Sequence, residues 1–351
     1  MIHGGDIYTE GVFKGKELID YSSNINPLGV PKTFLSNINE AVKNLEIYPD
    51  VSYRKINKSI ENYLKIKNMG IVLGNGASEI IELSVSLFKR ILIVVPSYIE
   101  YEINARRHNV DIIYSYLNSD MDIDYKDIMS KFKEVEAIII GNPNNPNGGI
   151  INKDKFKYIL NFAEKNKKTI IIDEAFVEFT GNTNFSFTQE AEQYNCLFII
   201  RAMTKFFAMP GIRFGYGITK NKEIINKIKE KQNPWNINCF AEIAAIKCLS
   251  DKKYIEESLL WIKSARGNFI NGLQDISFIE KVFYPHANFV LIKLKKITGE
   301  TLYELLLQEG FVIRRAKNFK GLDDSFVRFA IKDDRLNESF IKVLKGVEGK
   351  I

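Results

Sequence analysis

The stretches Thr169-Ile-Ile-Ile-Asp173-Glu-Ala-Phe176 and Leu197-Phe-Ile-Ile-Arg-Ala-Met-Thr-Lys205 decide how the rest of the chain reads. Each opens on an unbroken apolar run and ends in chemistry-bearing polar residues. Apolar runs that do not alternate with polar residues belong to strands covered on both faces. Ile91-Leu-Ile-Val-Val95 and Ala137-Ile-Ile-Ile140 have the same character, and amphipathic stretches at 79–89, 98–109 and 153–166 lie between the runs. The rhythm predicts an α/β fold, with a mostly parallel central sheet flanked by helices.

Outside 71–218 the rhythm changes. The opening is irregular, with Ser22-Ser-Asn-Ile-Asn-Pro-Leu-Gly29, and a helix is expected over 34–45. Beyond Pro234, helices are expected over 239–249, 252–273 and 299–309, and strands over 288–294, 311–315 and 326–331. This reads as three parts: an N-terminal arm (1–33) associated with the small domain, a large domain (34–238) and a smaller α+β domain (239–351).

A chain of 351 residues with 45% hydrophobic content can bury a large core. The net charge of +6 is mild, and its lysines interleave with acids, as in Lys227-Ile-Lys-Glu230. That pattern is a solvated helix face, so no nucleic-acid partner is expected. Cys196, Cys239 and Cys248 form no CxxC pair, and His3, His108 and His286 form no cluster, so reduced thiols and no metal are expected. No apolar run is long enough for a membrane span and the first residues do not resemble a signal peptide, which points to a cytoplasmic protein.

One cofactor chemistry would use the polar residues that follow the strands. Pyridoxal 5′-phosphate (PLP) needs a lysine for its aldehyde, an acid facing the pyridine nitrogen, a phosphate cradle, a stacking group and a substrate anchor. Lys205, in apolar surroundings, can lose its charge and become a nucleophile. Asp173 ends a strand, Asn145 sits on the turn Gly141-Asn-Pro-Asn-Asn-Pro-Asn-Gly148, and Gly74-Asn-Gly-Ala-Ser-Glu79 leads into a helix whose free N–H groups suit a phosphate. Tyr98, after Pro96, would stack on the ring. In a chain that prefers lysine for its charge, Arg213, Arg314 and Arg328 mark places that call for a planar fork, whereas Arg315 reads as a surface cation. Singly, each residue has an ordinary explanation as a surface lysine, a strand-end cap, a capped helix or a half-buried aromatic. Their order along the chain is what carries weight.

Taken together these residues resemble the fold-type-I PLP-dependent aminotransferase superfamily over nearly the whole chain. A narrower resemblance is to the threonine-phosphate decarboxylases of cobalamin biosynthesis, close relatives of the histidinol-phosphate aminotransferases. It rests on His3-Gly-Gly, Ser23-Asn-Ile-Asn-Pro-Leu-Gly29, Tyr48-Pro-Asp, Thr204-Lys-Phe, Pro210-Gly-Ile-Arg-Phe-Gly-Tyr216, Gln232-Asn-Pro-Trp-Asn-Ile-Asn238, Ile313-Arg, Asn318-Phe-Lys-Gly-Leu322 and Arg328-Phe-Ala-Ile. The resemblance implies that Lys205 carries the cofactor, Asp173 pairs with the pyridine nitrogen and Asn145 holds the 3′-oxygen. It implies Gly76, Ala77, Ser78 and Arg213 around the cofactor phosphate, with Thr204 beside them, and Tyr98 on the ring. Tyr48 would reach the cofactor phosphate of a neighbouring subunit, which implies a homodimer with its active site at the interface. His3, Asn24 and Arg314 would surround the phosphate of a small phosphorylated amino acid, and Arg328 its carboxylate.

Two positions depart from the broader pattern. Phe176 stands where aminotransferases usually have a tyrosine, and Ala202 where the superfamily usually has Ser or Thr on the cofactor phosphate. The implied reaction is decarboxylation of O-phospho-L-threonine, with aminotransfer to a phosphorylated amine as the alternative. A PLP-binding regulator without turnover is disfavoured by the intact Lys205 and Asp173.

Overall fold

The computed structural model describes residues 3–350. A first short strand, β1 (Ile19–Asp20), precedes the central sheet. That sheet is built from β2 (Gly70–Asn75), β3 (Arg90–Val95), β4 (Asp111–Tyr116), β5 (Ala137–Gly141), β6 (Thr169–Asp173), β7 (Leu197–Ala202) and β8 (Phe214–Thr219). Its order is β2-β8-β7-β6-β5-β3-β4. The neighbours from β4 to β7 run parallel, while β8 pairs antiparallel with both β7 and β2. The four predicted runs are β3, β5, β6 and β7, and every residue of β5, β6 and β7 is buried, as expected for strands covered on both faces.

A second, antiparallel sheet of four strands is formed by β9 (Ile279–Phe283), β10 (Phe289–Leu294), β12 (Arg314–Arg315) and β13 (Phe326–Ala330), in the order β12-β13-β10-β9. The sequence suggests one strand over 311–315, but the chain divides there. β11 (Phe311–Val312) pairs parallel with β1, tying the N-terminal arm to this part of the molecule, and β12 joins β13. The helix Cys239–Cys248 packs on the helices Lys32–Leu35, Ile38–Lys43 and Arg54–Leu64. The helix expected over 34–45 is in fact two short helices closed by a 3-10 turn at Asn44–Glu46.

Among the described residues no helix is long and apolar enough to cross a membrane. The three cysteines are buried and free.

Candidate active site

A cavity of about 280 Å³ opens where the central strands end. Asp173 is the last residue of β6, Lys205 lies three residues beyond β7, Asn145 four beyond β5, and Tyr98 three beyond β3. Carboxyl ends of parallel strands are where open α/β sheets bind ligands. The arm reaches the same cavity: His3, Gly4 and residues 22–24 line it, together with Arg314 and Arg328 from the second sheet.

Lys205 keeps partial exposure into the cavity. Burial pushes its pKa down to about 8, and the guanidinium groups of Arg328 and Arg213 add to the shift. Asp173 is buried, and burial pushes its carboxyl above the ordinary value. Two hydrogen bonds oppose that: Tyr101 Oη donates to Oδ2 at 2.6 Å and the Ala175 N–H to Oδ1 at 2.9 Å.

The stretch expected to cradle a phosphate offers mainly backbone. Gly76 has φ +85, a conformation that favours glycine, and a Cβ there would lie 2.4 Å from Arg213 Nη2. The helix Ala77–Val85 starts at the next residue, and Ala77, Ser78 and Arg213 all line the cavity. Tyr98 is largely buried, which pushes its phenol up to about 12, and it meets Tyr101 edge-on at 5.8 Å. Thr204 is buried against the cavity.

On the opposite wall the arginines are held firmly. Arg328 is buried; its Nη2 donates to the carbonyl of Ser22 at 2.7 Å and its Nη1 to Asn145 Oδ1. Arg314, also buried, donates from Nη1 to the Arg315 carbonyl and from Nη2 to Asn318 Oδ1, both at 2.7 Å. Burial pushes Arg314 down to about 10 and Arg328 to about 9. Asn24 is buried, and its Oδ1 has no hydrogen-bond partner among the described residues. His3 sits at the rim, its Nε2 2.9 Å from Glu100 Oε1.

The structure therefore brings His3, Asn24, Ala77, Ser78, Tyr98, Asn145, Asp173, Thr204, Lys205, Arg213, Arg314 and Arg328 to one cavity. Phe176 and Ala202, the two departures, line it as well. Tyr48 is not there. It is 79% exposed on another face, with its ring 4.7 Å from Trp235. Arg315 is ion-paired with Glu300 and lies over the Tyr303 ring, outside the cavity.

Two contributors escaped the sequence reading. Tyr101 binds Asp173, and its three-residue spacing from Tyr98, which suits a shared helix face, was the available signal. Asp20 accepts from the Ser22 and Ser23 N–H groups and from both hydroxyls, shaping the arm where it enters the cavity.

The donors suit PLP: a cradle that a Cβ would fill, a buried acid, and a lysine whose amine is neutral at mildly alkaline pH. Among the described residues no group of three or more His, Cys, Asp or Glu side chains is placed to hold a metal ion.

Comparison with known proteins gives the same frame. The model of the family "Aminotransferase class I and II" matches residues 16–344. A protein of Caldanaerobacter subterraneus, provisionally named threonine-phosphate decarboxylase, is 37% identical over 98% of this chain and 93% of its own length. The threonine-phosphate decarboxylase of Salmonella typhimurium is 26% identical over 98% of this chain and 96% of its own. The crystal structure titled histidinol-phosphate aminotransferase from Clostridium acetobutylicum is 68% identical, with a TM-score of 0.94, over 95% of this chain and 100% of that one.

Proposed function

Since the chain belongs to the class I and II aminotransferases, whose fold is that of fold-type-I PLP enzymes and whose cofactor is pyridoxal 5′-phosphate, we propose that it decarboxylates O-phospho-L-threonine. The product is (R)-1-amino-2-propanol phosphate, for cobalamin biosynthesis. The observation that carries this reading is the seat of His3. Gly4 lies so close to Ser22 that a Cβ on it would sit 2.2 Å from the Ser22 carbonyl oxygen, which draws the arm into the cavity. His3, Asn24 and Arg314 line the same cavity, and in this reading they surround the phosphate of a short substrate.

Two further observations support it. The cavity of about 280 Å³ lies near the lower end of the ~300–1,000 Å³ usual for small-molecule sites, in keeping with a small substrate beside the cofactor. Phe176 packs edge-on against Phe289 at 5.0 Å and offers no hydroxyl to the cofactor's 3′-oxygen.

When bound, PLP supplies a sink for the electron pair left on the substrate's α-carbon. The protein does the rest. Arg314, His3 and Asn24 would hold the phosphate and Arg328 the carboxylate end, and these remote anchors would select which bond of the α-carbon breaks. Asp173 would face the pyridine nitrogen and favour its protonated form. Lys205, the amine nearest the reacting carbon in this reading, would return a proton to the α-carbon after CO2 leaves.

In this reading the enzyme is a homodimer, with Tyr48 crossing to the partner's cofactor phosphate. In support, Leu45, Ile47, Tyr48 and Val51 are all exposed along one short stretch, an apolar surface that a second copy would cover.

A second reading, histidinol-phosphate aminotransferase, is favoured by the 68% likeness to the Clostridium structure of that title. It would use the same anchors to expose the α-hydrogen rather than the carboxylate to cleavage. Incubation with O-phospho-L-threonine, with and without 2-oxoglutarate, separates the two. Release of CO2 without the acceptor supports the decarboxylase. Turnover of histidinol phosphate that requires the acceptor, without CO2 release from phosphothreonine, overturns it.

A further inference from the structure

Tyr101 has no part in the reaction proposed above, yet its hydroxyl holds the carboxylate of Asp173. It is buried in the first turn of the helix Glu100–Arg107, and its hydroxyl lies 2.6 Å from Asp173 Oδ2. That distance is short, in the ~2.5–2.7 Å range of O–H donors on ionised carboxylates. The second carboxylate oxygen is held by the Ala175 N–H at 2.9 Å. Both oxygens thus have a fixed donor, and the carboxylate plane has one orientation. A carboxylate offers about four acceptor sites, so places remain for the pyridine N–H.

We infer that Tyr101 is a positioning residue for the reaction, aiming Asp173 and keeping it ionised against the pyridine nitrogen of bound PLP. Burial alone favours a neutral Asp173, and a neutral acid could not hold a proton on that nitrogen. The Tyr101 phenol is suited to oppose this. Burial and the neighbouring Asp173 keep it protonated far above its ordinary range, so it donates at every working pH. Its place in the chain fits the same role, because the helix start that offers Tyr98 to the ring face sets Tyr101 edge-on behind it, at an interplanar angle of 89°. One local element therefore fixes both the stacking group and the orientation of the acid.

The inference rests on Asp173 facing the pyridine nitrogen, and the experiment tests the two separately. Wild type and Tyr101→Phe are reconstituted with PLP labelled with ¹⁵N in the ring, and the nitrogen chemical shift is read by NMR without substrate. Tyr101→Phe keeps the ring and its contact with Tyr98, so packing is preserved. The wild-type signal is expected in the protonated range. In Tyr101→Phe it is expected to move towards the unprotonated range, with cofactor binding about tenfold weaker, the loss of one charge-assisted hydrogen bond. A protonated signal that stays unchanged in the variant, with unchanged cofactor affinity, overturns the role of Tyr101. An unprotonated nitrogen in the wild type overturns the placement of Asp173 itself, and the inference with it.

Discussion

Arg201 Nε stands 2.9 Å from Glu174 Oε2 in the interior, each group almost wholly shielded from solvent. Glu174 follows Asp173 directly and Arg201 lies four residues before Lys205, so this pair joins the two strand ends that carry the candidate acid and lysine. Arg201 also pairs with Glu178 at 2.8 Å and donates to the hydroxyls of Ser186 and Thr188. Removing one member of a buried ion pair leaves uncompensated charge and costs about 3–5 kcal/mol. Arg201→Met is therefore expected to lose that much stability, read as a lower urea midpoint. Adding Glu174→Gln and Glu178→Gln to it should recover a large part, because the stranded carboxylates disappear. A single variant as stable as wild type would mean that the network contributes nothing.

Lys205 predicts an unusual pH dependence for the cofactor-free protein. In the unfolded chain a lysine stays charged up to about its ordinary 10.5, whereas in the fold Lys205 is charged only below about 8. Between those values the unfolded chain binds more protons, so this group's contribution to stability rises with pH. Below pH 8 the fold bears the full penalty of a charged, crowded lysine, about 3 kcal/mol by linkage. Cofactor-free Lys205→Met should be more stable than wild type by about that amount at pH 7. The gap should close towards pH 10. Urea midpoints of both proteins at pH 7, 8, 9 and 10 test this, and parallel curves would disprove it.

At Gly76 the expectation concerns the cofactor rather than the fold. A methyl group there meets Arg213 Nη2 at 2.4 Å on a backbone with φ +85. The guanidinium is the exposed end of a flexible side chain and can swing away, at the cost of the place proposed for it beside the cofactor phosphate. Gly76→Ala should weaken PLP binding about tenfold or more, roughly one charge-assisted contact, while circular dichroism stays native. Equilibrium dialysis of PLP measures it, and undiminished retention would place the phosphate elsewhere.

How much of this was legible in the sequence depends on what each residue had to do. The runs 91–95, 137–140, 169–172 and 197–200 announced themselves because strands buried on both faces need nothing but apolar side chains. β8 did not. It carries Gly215 and Gly217, at which a Cβ would sit 2.3 Å from Ala77 N and Phe198 Cζ respectively. These glycines permit close approach, which local propensity cannot express. β4 was missed for another reason: at the sheet edge, Asp111–Tyr116 is mostly half-buried and carries mixed polarity. In the site, Lys205, Asp173 and Arg213 were legible because their types and order suit one chemistry. Tyr101 was not, since its meaning lies in a partner 72 positions away.

The substrate phosphate should be required for efficient turnover, and Arg314 should be the largest single reason. Arg314 is fixed before any ligand arrives: its guanidinium is anchored by Arg315 and Asn318 and lies 4.9 Å over the Phe319 ring. A preorganised fork facing a dianion makes charge-assisted contacts worth about 1.5–3 kcal/mol each. If two of them orient the carboxylate, omitting the phosphate should cost roughly 3–6 kcal/mol, or about 10²–10⁴ in kcat/KM. Free threonine is then a very poor substrate. Arg314→Ala should shrink the preference for phosphothreonine, because both amino acids now lack that contact. Arg314→Lys should restore only part of it, since an ammonium is a point charge and cannot reproduce the planar fork. The measurement is kcat/KM for both amino acids with wild type and the two variants. Equal wild-type values, or a preference that Arg314→Ala leaves untouched, would remove Arg314 from the substrate site. Equal wild-type values would also remove the phosphate from the reading altogether, whereas a preference untouched by the variant would leave the phosphate to His3 and Asn24.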